Sequence, residues 1–172
     1  VSHSATITDV SGYVGSFVTT VETEGRTKVI HHGAAVLATG ADEHRPTEYL
    51  YGEDDRVLTQ LELEEHLAAG DEELLEAQTL VMIQCVGCRQ ENRNYCARVC
   101  CSQAVKNALA LREQSPDMDI YILFRDMRTY GFREDYYLEA AEKGIRFQRW
   151  DVEEKPLVEA DEDEEGDPIL RV

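Results

Sequence analysis

The chain has 172 residues, 42% of them hydrophobic, and a formal net charge of −18 at pH 7. This length allows one domain with its own core, or two small lobes. Because nucleic acids and anionic membranes select basic surfaces, the charge argues against either as the main partner. No apolar run approaches the roughly 20 residues of a membrane span, and no basic-then-apolar leader marks the chain for secretion.

The chain starts with Val1-Ser2-His3-Ser4 and has no initiator methionine. We therefore expect it to be a fragment of a longer protein. Its five cysteines form one cluster, unlike the dispersed, even-numbered cysteines of a secreted disulfide framework. These features predict a reducing, cytoplasmic location.

The first forty residues are predicted to be β-rich. Three β-branched segments, at 5–10, 16–22 and 27–31, are separated by glycine-containing turns and predict an antiparallel meander. Residues 33–40 are predicted to continue it as a buried apolar strand that ends in a turn of small residues.

A helix is predicted to begin at Thr59, which forms the sequence pattern of a capping box with Glu62, and to end at Gly70. After Asp71 the pattern alternates between strands and helices. This alternation is typical of a parallel, nucleotide-binding-type sheet. The predicted strands are 79–84, 120–124 and 145–150, and the predicted helices are 100–114 and 134–143.

All five cysteines lie within seventeen consecutive residues, directly after the first predicted strand of this sheet: Cys85, Cys88, Cys96, Cys100 and Cys101. In a dinucleotide-binding unit the same turn is rich in glycine, so that backbone N–H groups can meet a pyrophosphate. Here Gly87 is the one glycine of the turn. The loop therefore has the position of a cofactor loop and the side chains of a metal centre.

Four thiolates can bind a tetrahedral zinc ion or an iron–sulfur cluster. Zinc ribbons usually pair two C-x-x-C knuckles, whereas this loop has one, Cys85 and Cys88. We expect the side chains of the adjacent Cys100 and Cys101 to diverge, which favours a bulky cluster over a single ion. Structural zinc, inert buried thiols and a redox-active Cys85–Cys88 pair remain the alternatives.

The histidines show no ligand spacing with one another or with the cysteines, and no Ser/His/Asp arrangement supports hydrolysis. The stretch 151–167 carries ten acidic residues and one lysine. We interpret it as a solvated loop or linker. The alternative is a surface on which another protein of the same complex docks.

Several motifs closely resemble the A-type subunits of heterodisulfide reductase. They are Cys85-Val86-Gly87-Cys88-Arg89, the stretches 95–101 and 106–109, and Phe124-Arg125-Asp126-Met127-Arg128-Thr129-Tyr130-Gly131. Ala38-Thr39-Gly40 and the stretch 59–64 resemble the flavin-binding part of that family. The similarity extends from about Gly12 to Glu159. It implies a thioredoxin-reductase-like flavoprotein that passes electrons between FAD and 4Fe-4S clusters in a multi-subunit complex.

The resemblance also implies residue roles. Cys85, Cys96, Cys100 and Cys101 match the cluster ligands, whereas the family usually has serine at the position of Cys88, which we interpret as a spectator. Lys106 is a candidate catalytic residue beside the flavin. The residues assigned to FAD binding are Ala38, Thr39, Gly40, Thr59 and Gln60.

Two further expectations concern nucleotides. Arg125 and Arg128 follow the second strand, where related flavoenzymes select the phosphate of NADPH. Because the first turn is not glycine-rich, we favour a structural or subunit-contact role for both arginines. The N-terminal Gly-rich FAD fingerprint is also missing, so we expect little FAD affinity and no catalysis from this piece alone.

The predicted fold class is α/β: a Rossmann-like three-layer parallel-sheet lobe preceded by a β-meander from an incomplete FAD-binding domain. The predicted domains are residues 1–58 for the partial FAD-binding domain, 59–77 for a helical connection, 78–155 for the lobe with the cysteine loop, and 156–172 for an acidic linker and the start of another strand. The predicted partners are other subunits of a redox complex, and self-association is also expected. The alternative function is a structural zinc-binding or protein-interaction module with an acidic docking tail.

Overall fold

The N-terminal unit, residues 1–42, is an antiparallel meander in the computed structural model, which describes all residues from Val1 to Val172. Its strands are β1 (Ala5–Tyr13), β2 (Ser16–Thr23) and β3 (Arg26–His32), with β2 in the centre. At Gly12, φ is +98° and an added Cβ would lie 2.1 Å from the Ser16 carbonyl oxygen. Only glycine fits at this position near the end of β1, and the predicted meander is confirmed.

The meander has almost no core of its own. Val21 and Thr19 of β2 are buried, whereas every residue of β1 is exposed. The prediction of a buried strand at residues 33–40 is wrong: these residues form no strand, and Val36 and Leu37 are about 90% exposed. No neighbouring strand of this unit takes up their backbone hydrogen bonds, so the apolar composition alone does not make a strand.

The C-terminal unit, residues 43–172, contains a parallel sheet in the order β4-β5-β6. Its strands are β4 (Thr79–Ile83), β5 (Asp119–Phe124) and β6 (Arg146–Arg149). Met82 pairs with Ile122, and Ile122 with Phe147, so these three side chains share one face of the sheet. The prediction of a parallel sheet is confirmed.

Four helices accompany this sheet: α1 (Gln60–Ala69), α2 (Glu72–Glu76), α3 (Cys100–Gln114) and α4 (Glu134–Glu142). The capping box at Thr59 and Glu62 is present, and Gly70 ends α1 in the left-handed conformation. The helix α3 has the predicted bounds. Its small residues Ala104 and Ala108 are fully buried, which allows it to lie close to the sheet.

Both long crossover helices pack on the same face of the sheet. Ala108 of α3 and Ala140 of α4 join Met82, Ile120 and Ile122 in one core cluster. The alternating side chains of the other face, Val81, Ile83, Tyr121 and Leu123, lie outside this cluster and are half-buried. Within this unit the sheet has two layers rather than the predicted three, because two successive crossovers of one hand place both helices on one side.

The acidic C-terminal stretch is more ordered than the predicted linker. The strand β7 (Glu159–Glu162) pairs antiparallel with β8 (Pro168–Arg171), and Arg171 forms an ion pair with Asp161. The strand expected near the end of the chain is therefore present as one arm of a hairpin. No helix of the protein has the length and apolar character needed to cross a membrane.

Candidate metal centre

The cysteine loop connects the carboxyl end of β4 to the start of α3. Cys85, Gly87 and Arg89 all have positive φ, at +68°, +66° and +56°. Positive φ is uncommon for residues other than glycine and occurs often at functional sites. A Cβ at Gly87 would lie 2.1 Å from the His44 side chain, so glycine also permits a close approach here. The loop is therefore tightly folded.

Cys85 and Cys88 lie together at the start of the loop. The Cys88 N–H donates to the Cys85 carbonyl at 3.4 Å. Burial raises the pKa of the Cys88 thiol, and the neighbouring sulfurs of Cys85 and Cys96 raise it further. The Arg98 N–H donates to Cys96 Sγ at 3.4 Å. Cys88 is thus near two of the predicted ligands, although it is not one of them.

Cys100 and Cys101 are adjacent at the start of α3, and the divergence expected of their side chains stays a prediction. The interaction of the two neighbouring thiols raises the pKa of Cys100 and lowers the pKa of Cys101. Cys101 is almost completely buried, and its Sγ donates to the Asp126 carbonyl at 3.8 Å. Cys101, in the first turn of α3, therefore contacts the loop after β5.

All five cysteines are free thiols. No three cysteine, histidine or carboxylate side chains are arranged to hold a single metal ion in this structure. The chemistry of the donor set fits an iron–sulfur cluster, since such clusters take thiolate ligands with N–H donors directed at the sulfurs. Cys96 has such a donor in the Arg98 N–H, and Cys85 has one in Arg89 Nη1 at 3.9 Å.

Arginines surround the thiols. Arg89 forms an ion pair with Asp126 at 2.6 Å, and this contact, which was not predicted, joins the cysteine loop to the loop after β5. Arg125 donates to the Arg89 carbonyl at 2.9 Å and its guanidinium lies over the Trp150 ring. The backbone N–H of Arg128 contributes to the lowered pKa of Cys101. Arg125 thus supports the loop in this structure.

A cavity of about 590 Å³ lies at the carboxyl ends of the parallel strands. Cys85, Cys88 and Arg89 line one part of it, and Trp150 and Lys155 line another. The indole N–H of Trp150 is buried and has no hydrogen-bond partner. The cysteine spacing located this edge of the sheet, whereas no sequence pattern indicated Trp150, which follows β6.

Lys106 is held by a carboxylate of the neighbouring helix. Its Nζ lies 2.7 Å from Glu64 Oε1 of α1. The buried Asn107 donates to the carbonyl and the side-chain oxygen of Gln60, at 3.2 and 2.8 Å. Lys106 and Gln60, which were predicted to serve the flavin, are therefore both engaged in contacts between α1 and α3.

The remaining residues predicted to bind FAD fall in two places. Thr59 is the N-cap of α1, where its hydroxyl accepts a hydrogen bond from the Glu62 N–H. Ala38, Thr39 and Gly40 lie in an exposed segment of the N-terminal unit that has no regular secondary structure, and Gly40 has φ of +71°. Within each unit, these residues line no cavity described above.

Comparison with known proteins identifies relatives of the chain. It is 37% identical over 133 residues to the iron-sulfur A-type subunit of the CoB–CoM heterodisulfide reductase of Methanocaldococcus jannaschii, a match that covers 68% of this chain and 20% of that protein. It is 36% identical over 136 residues to the A-type subunit of the H(2):CoB-CoM heterodisulfide,ferredoxin reductase of Methanothermobacter marburgensis, covering 70% and 21%. The A-type subunit of the ferredoxin:CoB-CoM heterodisulfide reductase of Methanosarcina acetivorans is 33% identical over 168 residues, covering 72% and 21%.

No family model matches the chain. The chain spans about a fifth of the length of the curated relatives it matches. These relatives confirm the resemblance that the cysteine and Arg-Asp motifs predicted. The chain therefore belongs to the family of heterodisulfide reductase A-type subunits, over a segment that corresponds to about one fifth of such a protein.

Proposed function

We propose that the cysteine loop and the first turn of α3 hold a 4Fe-4S cluster through Cys85, Cys96, Cys100 and Cys101. The observation that carries this proposal is the concentration of five free thiols in one loop, two of them with N–H donors at their sulfurs. A thiolate-bound cluster, when present, supplies a one-electron carrier. The residues of this chain would bind it, exclude water and set its charge environment.

The parent protein would be an oxidoreductase, and this segment would pass electrons between its FAD and the cluster, as one part of a multi-subunit redox complex. The relatives support this proposal, since their names describe subunits of heterodisulfide reductases and one name specifies an iron-sulfur protein. A cytoplasmic location belongs to the same proposal.

The proposed flavin-binding residues of this unit lie at or near helix α1. Thr59 and Gln60 start this helix, and Lys106 reaches it through Glu64. We assign Lys106 the role of a cation that stabilises a reduced, anionic flavin, for which it would have to leave Glu64. The exposure of the Lys106 side chain, at 62%, supports this role because an exposed ion pair is weak and can be exchanged.

The five cysteines allow several choices of four cluster ligands, and the role of Cys88 tests the proposed choice. As a spectator it contacts Cys85 without binding iron, so Cys88→Ser should keep the cluster after anaerobic reconstitution. Cys101→Ser should lose it, because the buried first turn of α3 offers no replacement thiolate at that position. Iron and acid-labile sulfide content measured on both variants tests the assignment. Loss of iron in Cys88→Ser with retention in Cys101→Ser would contradict it.

A further inference from the structure

We propose that the Arg89–Asp126 ion pair positions both ends of the cysteine run, and that the Arg89 charge makes the cluster easier to reduce. This inference rests on the proposed cluster. Arg89 Nη2 lies 2.6 Å from Asp126 Oδ2, and Arg89 Nη1 lies 3.9 Å from Cys85 Sγ. The carbonyl of Asp126 accepts from Cys101 Sγ at 3.8 Å. One ion pair thus connects the first and the last cysteine of the run.

The backbone of Arg89 is held from both sides. Its N–H donates to the Tyr95 carbonyl at 3.2 Å, and its carbonyl accepts from Arg125 at 2.9 Å. Its φ of +56° is unfavourable for an arginine and persists only where surrounding contacts determine it. The fixed backbone explains how a long side chain keeps one position between Cys85 and Asp126.

Of the three charged side chains grouped at Asp126, Arg89 is the least exposed to solvent. Asp126 is shared between two arginines, because its Oδ1 lies 3.7 Å from Arg149 Nη2. The side chain of Arg89 is 18% exposed and that of Arg149 is 66% exposed, so solvent screens Arg149 far more strongly. Arg89 is therefore the effective cation at the Cys85 sulfur.

A cluster held here would take one electron, without a proton, from the FAD of the parent protein, and its reduced form would carry one more negative charge. A fixed, partly buried cation stabilises that form more than the oxidised one and raises the reduction potential. A carboxylate at the same distance acts in the opposite direction. The two members of the pair should consequently have opposite effects, which a purely structural contact would not produce.

The test uses the reconstituted protein and its Arg89→Gln, Asp126→Asn and Arg149→Gln variants. Iron content reports on positioning, and a redox titration followed by electron paramagnetic resonance gives the midpoint potential. We expect Arg89→Gln to retain less iron and to lower the potential, Asp126→Asn to raise the potential, and Arg149→Gln to leave both near those of the unsubstituted protein.

The inference is overturned if iron-loaded Arg89→Gln keeps the original potential, if both Arg89→Gln and Asp126→Asn shift it in the same direction, or if Arg149→Gln shifts it as much as Arg89→Gln. Complete loss of iron from Arg89→Gln alone supports the positioning role, and Asp126→Asn then tests the charge effect. Failure of the unsubstituted protein to take up iron would instead contradict the cluster proposal itself.

Discussion

The two units of the molecule are stabilised in different ways. The N-terminal meander satisfies most of its backbone with a hydrogen-bonded ladder that has one irregularity between Ile7 and Asp9, yet it buries little more than Val21 and Thr19. The C-terminal unit buries Leu111, Ile120 and Ile122 completely. Backbone hydrogen bonds order the strands of the meander. In the C-terminal unit, the packed core also holds side chains in place at the carboxyl edge of the parallel sheet. The difference shows why the thiols lie in the second unit, on a rigid support.

The largest expected effect is the loss of core packing in the C-terminal unit. Leu111→Ala should lower the free energy of unfolding by about 3 kcal/mol, because it leaves a cavity between α3 and the sheet. Val10→Ala on the exposed β1 should change it by less than about 0.5 kcal/mol. Urea unfolding followed by the fluorescence of Trp150, the one tryptophan of the chain, checks the first value. Equal effects of the two substitutions would contradict the contrast.

A glycine substitution near the end of β1 should have the largest effect on the meander. Gly12→Ala would place a Cβ against the Ser16 carbonyl oxygen, a backbone atom that cannot move without breaking the ladder. The strain should cost about 2 kcal/mol or more and should be visible in far-ultraviolet circular dichroism, with Trp150 fluorescence unchanged.

Gly87→Ala is the matched change in the cysteine loop and should cost less, about 1 kcal/mol. The obstructing group there is the exposed His44 side chain, which can rotate away. A greater loss of stability for Gly87→Ala than for Gly12→Ala would show that the cysteine loop is the more rigid of the two sites.

Loss of a helix cap should lower the stability of the C-terminal unit by a smaller amount. Thr59→Ala removes the hydroxyl that accepts the Glu62 N–H at 3.2 Å and should cost about 1 kcal/mol. Glu65→Ala, on the exposed side of the same helix, is the control and should have almost no effect. Thermal unfolding of both variants checks the difference, and an equal shift for the control would argue against the cap.

The smallest expected effect on stability is the pH-dependent contribution of the Arg56–Asp54 ion pair. Hydrogen bonds from Arg56 lower the pKa of Asp54 to about 2. Since the folded-state pKa lies below the unfolded-state value, the contact stabilises the fold fully above about pH 4 and loses this contribution as the pH falls toward about 2. For an exposed pair the effect should stay below about 1 kcal/mol. An Asp54 carboxyl that titrates near pH 4 by NMR would contradict this prediction.

Local patterns predicted the elements well. The capping box at Thr59, the bounds of α3 and the three parallel strands all follow from short-range signals. The strand at residues 33–40 failed because its composition could not reveal that no strand of its unit pairs with it. The Arg89–Asp126 contact and the position of Trp150 depend on how distant loops meet, which a single sequence does not encode in any local pattern.

Local sequence patterns and contacts between distant residues both bear on the proposed set of cluster ligands. The spacing of the cysteines located the centre, whereas the divergence expected of the Cys100 and Cys101 side chains stays a prediction. The direction of adjacent side chains depends on the turn at which α3 begins. The assignment of Cys88 as a spectator stays a prediction, since it derives from the family resemblance alone.

Metal analysis after anaerobic reconstitution of the chain tests the central claim most directly. We expect a brown protein with broad absorption at about 400 nm and about four irons and four acid-labile sulfides per chain. A colourless protein that excludes iron and retains one zinc per chain under the same conditions would contradict the cluster and favour the structural zinc module.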